Sequence, residues 1–147
     1  MAHDFVNFPE LTNAQMALYY FDSPHKQIME DFVCKVVKVH DGDTITLRWH
    51  ERKFDFPLRF LGIDAPELKD ERGHEVKSWL EKKINKEMVE IKIDKSNRVE
   101  KWGRLLGNVF FNGLDIGKEM LNLGLVKSWD RRKEGKIEDI GKVIKIE

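Results

Sequence analysis

Two short acidic stretches and two arginines are the residues of this sequence whose types and spacing could do chemistry. The acidic stretches are Asp41-Gly42-Asp43-Thr44 and Asp64-Ala65-Pro66-Glu67. Arg59 precedes the second inside an otherwise apolar run, PLRFLGI, and Arg104 follows Gly103 in EKWGR. Phosphodiester hydrolysis calls for groups of these kinds. The anion must be neutralised, a water positioned or deprotonated, and the added charge of the transition state stabilised. Carboxylates can anchor calcium, a hard cation that takes oxygen ligands, and a neighbouring glutamate can order or deprotonate the attacking water. Two guanidiniums can hold the non-bridging oxygens bidentately.

Each piece also has a plain structural use. DGDT reads as an Asx-type hairpin turn, which needs only Asp41 and Gly42 and leaves Asp43 to open the next strand. Pro66 restricts Ala65 to extended backbone, so DAPE is a rigid exit from a strand. Strict strand alternation puts Arg59 and Asp64 on opposite faces, so a bulge or the Gly62 position has to bring them together. Otherwise Arg59 lies on an exposed strand face, and Arg104 is a surface arginine that begins a strand. Histidines at 3, 25, 40, 50 and 74 show no paired metal-ligand spacing. The one cysteine, Cys34, lies between Val33 and Val36 and reads as a small apolar residue inside a strand. Any metal is therefore expected to be a hard cation on carboxylates.

The elements that must position these residues begin at Phe32. FVCKVVKV, DTITLRW and FDFPLRFLGI read as strands, with Pro57 pointing to an edge or bulged position. Residues 73–85 read as a helix with Val76, Trp79, Leu80 and Ile84 on one face. VEIKID is a further strand, KSNRVEKWG an exposed loop, and RLLGNVFF a strand ending at Asn112-Gly113. Asp115 opens a short helix that Gly124 stops, LVKSW is extended, and the charged tail from Asp130 is left without an assignment. This order predicts a mainly β, α+β domain over residues 31–147. Its core is a five-stranded OB-fold barrel with two or three helices packed outside.

Residues 1–30 read as a helical extension. Thr12 and Gln15 form a capping-box pattern, and Ser23-Pro24 offers a second helix start running into HKQIMEDF. The aromatics Phe5, Phe8, Tyr19, Tyr20 and Phe21 either pack back onto the main domain or dock a partner protein.

The 147 residues suit one domain with its own core, and 41% apolar with 35% charged residues reads as globular with a heavily charged surface. No apolar run approaches the roughly 20 residues of a membrane span. The first residues lack the basic start and apolar stretch of a secretory signal, so a cytoplasmic or other intracellular location is expected. Net charge is zero. Asp4, Glu10, Asp22 and Glu30 oppose Lys26 alone, so residues 1–30 carry −3 and the remainder +3. That excess does not by itself indicate nucleic acid, although an enzyme needs only a local phosphate clamp.

Taken together, VVKVHDGDT at 36–44, LRFLGIDAPE at 58–67, KWGR at 101–104 and the stretch from Gly117 to Lys127 resemble the staphylococcal nuclease (thermonuclease) family. The resemblance runs from about Val33 to Lys127, and its specificity lies in the order and spacing of the pieces. It implies a five-stranded OB-type barrel and calcium-dependent cleavage of DNA and RNA on the 5′-oxygen side, leaving 3′-phosphate ends. By the same resemblance Asp43 and Asp64 look like metal carboxylates, with the Ala65 backbone carbonyl as a further ligand. Glu67 looks like the residue that activates or orders water, Arg59 and Arg104 like the phosphate pair, and Asp41 like a nearby acid that tunes the metal.

Departures from the family pattern bear on the nucleotide more than on the reaction. Ala65 stands where threonine is common. Trp102, beside Lys101 in the implied nucleotide-binding segment, replaces a tyrosine; its indole can donate a hydrogen bond and offer a stacking face. The family's second nucleotide-flanking tyrosine has no clear counterpart in Ser128-Trp129-Asp130, and the loop LKDERGHE looks shorter. The alternative to an enzyme is a barrel that grips nucleic acid or protein without cutting. A third reading attaches the enzyme through residues 1–30 to a larger viral or mobile-element assembly.

Overall fold

The structure is a computed structural model, and it describes residues 2–129. Alternating apolar residues in the strand runs turn inward and close a barrel. Strand β1 (Phe32–Asp41) buries Phe32, Cys34, Val36 and Val39, and β2 (Thr44–Arg48) buries Ile45 and Leu47. Strand β3 (Phe56–Phe60) buries Phe56, Leu58 and Phe60, and the two-residue β4 (Ile63–Asp64) follows it. Strands β5 (Met88–Lys92) and β6 (Leu105–Phe111) complete the wall. The order is β3-β2-β1-β5-β6, and β3 also pairs parallel with β6, which closes a five-stranded mixed barrel. This is the OB-type α+β architecture. A short β7 (Leu114–Asp115) turns back to pair antiparallel with the end of β6, and β8 (Lys127–Ser128) pairs with β4. Pro57 sits opposite Thr46 of β2 but before the pairing with β6 begins at Leu58, where a missing N–H costs no ladder bond.

Among the described residues three α-helices lie outside the barrel. Helix α1 (Asn13–Tyr19) has both reciprocal bonds of the Thr12–Gln15 capping box. Helix α2 (Glu71–Ile84) packs on β1 and buries Val76, Leu80 and Ile84. It starts two residues before the expected Gly73, because turns from Asp70 N–H to the Glu67 carbonyl and from Gly73 N–H to the Asp70 carbonyl already wind the chain. Helix α3 (Ile116–Asn122) is capped by Asp115, whose carboxylate accepts from the Lys118 N–H at 3.0 Å.

Two expectations about connecting segments are corrected. HKQIMEDF forms no helix. Gln27 there bonds the Leu11 N–H at 2.8 Å and the Pro9 carbonyl at 2.9 Å, and Ile28 is buried in the core. These contacts replace helical ones. The loop KSNRVEKWG is not wholly exposed either, for Arg98 is only 1% exposed. It donates to the carbonyls of Ile28 and Leu11 and to Asn13 Oδ1. Leu11 is fully buried, and Glu10 forms a buried ion pair with Arg52. Residues 9–28 thus contribute interior groups of both kinds. The charged tail from Asp130 lies outside the described residues.

Candidate active site

The hairpin joining β1 to β2 sets the first acid. Asp41 pairs with Thr44, so Gly42 and Asp43 are themselves the turn. This corrects the expectation that Asp43 opens the strand: Asp41 Oδ1 accepts the Asp43 N–H at 3.0 Å, an Asx turn that holds Asp43 at the tip. Gly42 is required by close approach. A Cβ there would lie 2.5 Å from Val76 Cγ1 of α2 and 2.8 Å from Ala65 Cβ. The turn is thus pressed against both α2 and the exit from β4.

Gly62 settles where Arg59 points. Its φ of +81° puts a left-handed turn between β3 and β4, so alternation restarts one residue out of step. Phe60 and Ile63 both face the core, leaving Arg59 and Asp64 together on the other side. Arg59 Nη2 lies 3.2 Å from Asp64 Oδ1 and 3.4 Å from Asp43 Oδ2. Its Nη1 donates to the Phe60 and Ile63 carbonyls, each at 2.9 Å. The Asp43 carboxylate also accepts from Thr44 Oγ1 at 3.1 Å and from the Ala65 N–H at 2.9 Å. One guanidinium and two aspartates from three separate segments therefore meet, with Ala65 tied to their edge.

The remaining residues sit around this centre. Arg104, just before β6, donates from Nη1 to Thr44 Oγ1 at 3.2 Å, on the hydroxyl that binds Asp43. Its Nε and Nη2 form a two-pronged pair with Glu100. Glu67 is exposed, pairs with Lys69 at 3.6 Å, and shares with Asp64, Ala65, Arg72 and Lys127 a cavity of about 620 Å³. Lys101 lies 5.0 Å from the Trp102 ring, and Trp102 lines a second cavity of about 350 Å³ with Arg59 and Trp129. Burial, with the adjacent Asp43 carboxylate adding to it, pushes Asp41 up to about 6.

Among the described residues no three carboxylate, imidazole or thiol groups form a ready-made metal cage. What the site offers is hard oxygen. The Asp43 and Asp64 carboxylates converge on one nitrogen, with Asp41 behind them. Carboxylate oxygen is the ligand type that hard divalent cations take.

Sequence reasoning missed three residues. Trp129 has its ring 5.0 Å from the Arg59 guanidinium, and its backbone N–H donates to the Gly62 carbonyl at 2.8 Å. Glu100 holds Arg104, and Thr44 joins Arg104 to Asp43. The i to i+4 spacing of Glu100 and Arg104 was a visible signal, and Thr44 stood inside the DGDT motif; the contact of Trp129 with Arg59, 70 residues apart, had no local sign.

Residues 57–145, more than half of the chain, match the family model described as staphylococcal nuclease homologue. The chain belongs to that family. The match includes Arg59, Asp64, Glu67 and Arg104, whereas Asp41 and Asp43 precede it and reach the site through the barrel. Among relatives of this nuclease-homologue chain, endonuclease YncB of Bacillus subtilis is 27% identical over 112 residues, covering 71% of this chain and 52% of the relative. The probable staphylococcal-like nuclease CAN3 of Oryza sativa subsp. japonica is 30% identical over 103 residues, covering 68% and 25%. The SPbeta prophage-derived endonuclease YokF of Bacillus subtilis is 29% identical over 93 residues, covering 59% and 31%. The chain spans about half of the first relative's length and less of the other two. No helix of the described residues is long and apolar enough to cross a membrane.

Proposed function

We propose that this chain is a calcium-dependent nuclease that hydrolyses phosphodiester bonds of DNA or RNA, cutting on the 5′-oxygen side to leave 3′-phosphate ends. The observation that carries the reading is the meeting of Asp43, Arg59 and Asp64 from three segments, with Arg104 joined to them through Thr44. Family membership and relatives named as endonucleases support it.

In this reading Asp43 and Asp64, with the Ala65 carbonyl, would hold calcium, and Asp41 would tune their charge. The chemistry calcium supplies when bound there is neutralisation of the phosphate and acidification of a water. Arg59 and Arg104 grip the non-bridging oxygens and hold them more strongly as negative charge accumulates. Arg104 gives up Glu100 to do so. Glu67, exposed at the rim beside Asp64, orders or deprotonates the attacking water. Lys101 and Trp102 face the nucleotide, with the indole as a stacking surface. The prophage origin in one relative's name supports placing the activity in a mobile-element setting.

The test is direct. Purified protein is incubated with single-stranded DNA in calcium or in chelator, beside Glu67→Gln and Arg104→Ala variants. Calcium-dependent cutting is expected, falling by roughly 100-fold or more in each variant. Undiminished cutting by both variants would overturn the residue roles. No cutting by the wild type would favour a barrel that binds without cutting.

A further inference from the structure

The loop that delivers Arg104 is tied to the N-terminal segment at its start, middle and end. At the start, Asn13 Nδ2 donates to the Lys95 carbonyl at 2.9 Å. In the middle, Arg98 donates from Nη1 to the Leu11 carbonyl and to Asn13 Oδ1, each at 3.0 Å. Its Nε reaches the Ile28 carbonyl at 2.8 Å. At the end, the Phe8 ring lies against Gly103, the residue before Arg104. A Cβ on Gly103 would be 2.7 Å from Phe8 Cδ1, and the glycine is already at φ +89°.

The loop is also bonded to itself. Gly103 N–H donates to the Glu100 carbonyl at 2.9 Å, Glu100 N–H to the Arg104 carbonyl at 3.0 Å, and Leu106 N–H to the Arg98 carbonyl at 2.8 Å. A push at Gly103 or Arg98 is therefore passed to Glu100 and Arg104. A guanidinium that stabilises a transition state works only if held in place, and a misplacement of about 1 Å can cost 100-fold.

We propose that residues 8–13 are a strap that sets the Arg104-bearing loop, with Arg98 as the positioning residue joining strap to loop. Arg98 touches no reacting group. It donates to backbone and to Asn13, so its effect on catalysis runs through loop placement. The inference rests on the reading that Arg104 grips phosphate.

The experiment uses the full chain and measures kcat and KM on single-stranded DNA in calcium. Phe8→Ala, Asn13→Ala and Arg98→Lys are made in the wild type and again with Arg104→Ala. Phe21→Ala, a 95% exposed position on the same segment, is the control and leaves both constants unchanged. In the wild-type background kcat is expected to fall about tenfold for Phe8→Ala and Asn13→Ala, with KM little changed. With Arg104→Ala already present, the same substitutions should cost less than about twofold, because residues acting through one group are not additive. Arg98 is fully buried and its variant is the one at risk of misfolding, so the Phe8 and Asn13 cycles decide. Amide exchange should also rise at Gly103 and at Leu106, the β6 amide bonded to the Arg98 carbonyl, in Phe8→Ala while the other barrel amides hold. Equal losses in both backgrounds, no loss in the wild type, or unchanged exchange at those two amides would each overturn the strap. A wild type that cuts nothing overturns the nuclease reading and the strap together, so the two failures are told apart.

Discussion

Arg59 is the side chain on which the site turns. Carboxylates of Asp43 and Asp64, two backbone carbonyls and the Trp129 ring surround its guanidinium. A lysine could keep the charge but not the planar fork or the stacking face. Arg59→Lys should therefore lower kcat/KM by about 100-fold or more while far-UV circular dichroism stays unchanged; kinetics on single-stranded DNA checks it. Cys34 shows the opposite case, a group the structure silences. It is 1% exposed, and burial pushes its thiol up to about 12. The thiolate is thus disfavoured at neutral pH, and iodoacetamide at pH 8 should label the protein only after denaturation. Rapid labelling of the folded chain would contradict this burial.

At the scale of elements, two tight places shape the centre: the β1–β2 turn under α2, and the Leu61-Gly62 turn between β3 and β4. A methyl on Gly42 meets Val76 and Ala65, so Gly42→Ala should cost about 1–3 kcal/mol by overpacking. It should also lower kcat, because Asp43 sits on the same turn. Thermal melting and cleavage rate, measured together, check both parts. A Cβ on Gly62 would meet nothing within 4 Å, so its demand is purely on φ. Gly62→Ala should cost about 1–2 kcal/mol from left-handed strain, the smaller of the two structural effects.

For the whole molecule, the N-terminal segment completes the interior. Removing residues 1–30 would uncover the neighbours of Leu11 and Ile28 and strip Arg52 and Arg98 of Glu10 and of carbonyl partners. The loss should exceed about 5 kcal/mol, combining two large apolar groups with two stranded buried charges. Urea unfolding of the shortened chain measures it, and a midpoint equal to the full chain's would refute it. Acid should act on the same region. Burial lowers the pKa of His25, which packs against Phe5 and Phe54 beside Arg52, and burial likewise lowers that of His40. A base held below its ordinary value near 6.5 takes up protons more readily when unfolded, so stability should be lost as pH falls below that value. His25→Gln should flatten the slope of melting temperature between pH 7 and pH 5.

The residue types of the site, the strand runs, α2 and α3 were legible from the sequence because each depends on local periodicity or local spacing. The capping box of α1 was legible for the same reason, its partners being three residues apart. The meeting of Arg59 with Asp64 was not, because one left-handed residue reverses the alternation that a strand pattern predicts. The place of Asp43 within the turn was hidden too, since an Asx bond decided between two ways of closing the same hairpin. Arg98 and residues 24–30 were misread for a different reason. Their partners are distant along the chain, and a buried arginine looks like any surface arginine until those carbonyls are found. By itself the sequence determined the chemistry on offer and the order of the barrel's parts. Tertiary structure decided which groups meet, because that depends on closure of β3 on β6 and on the packing of the N-terminal segment.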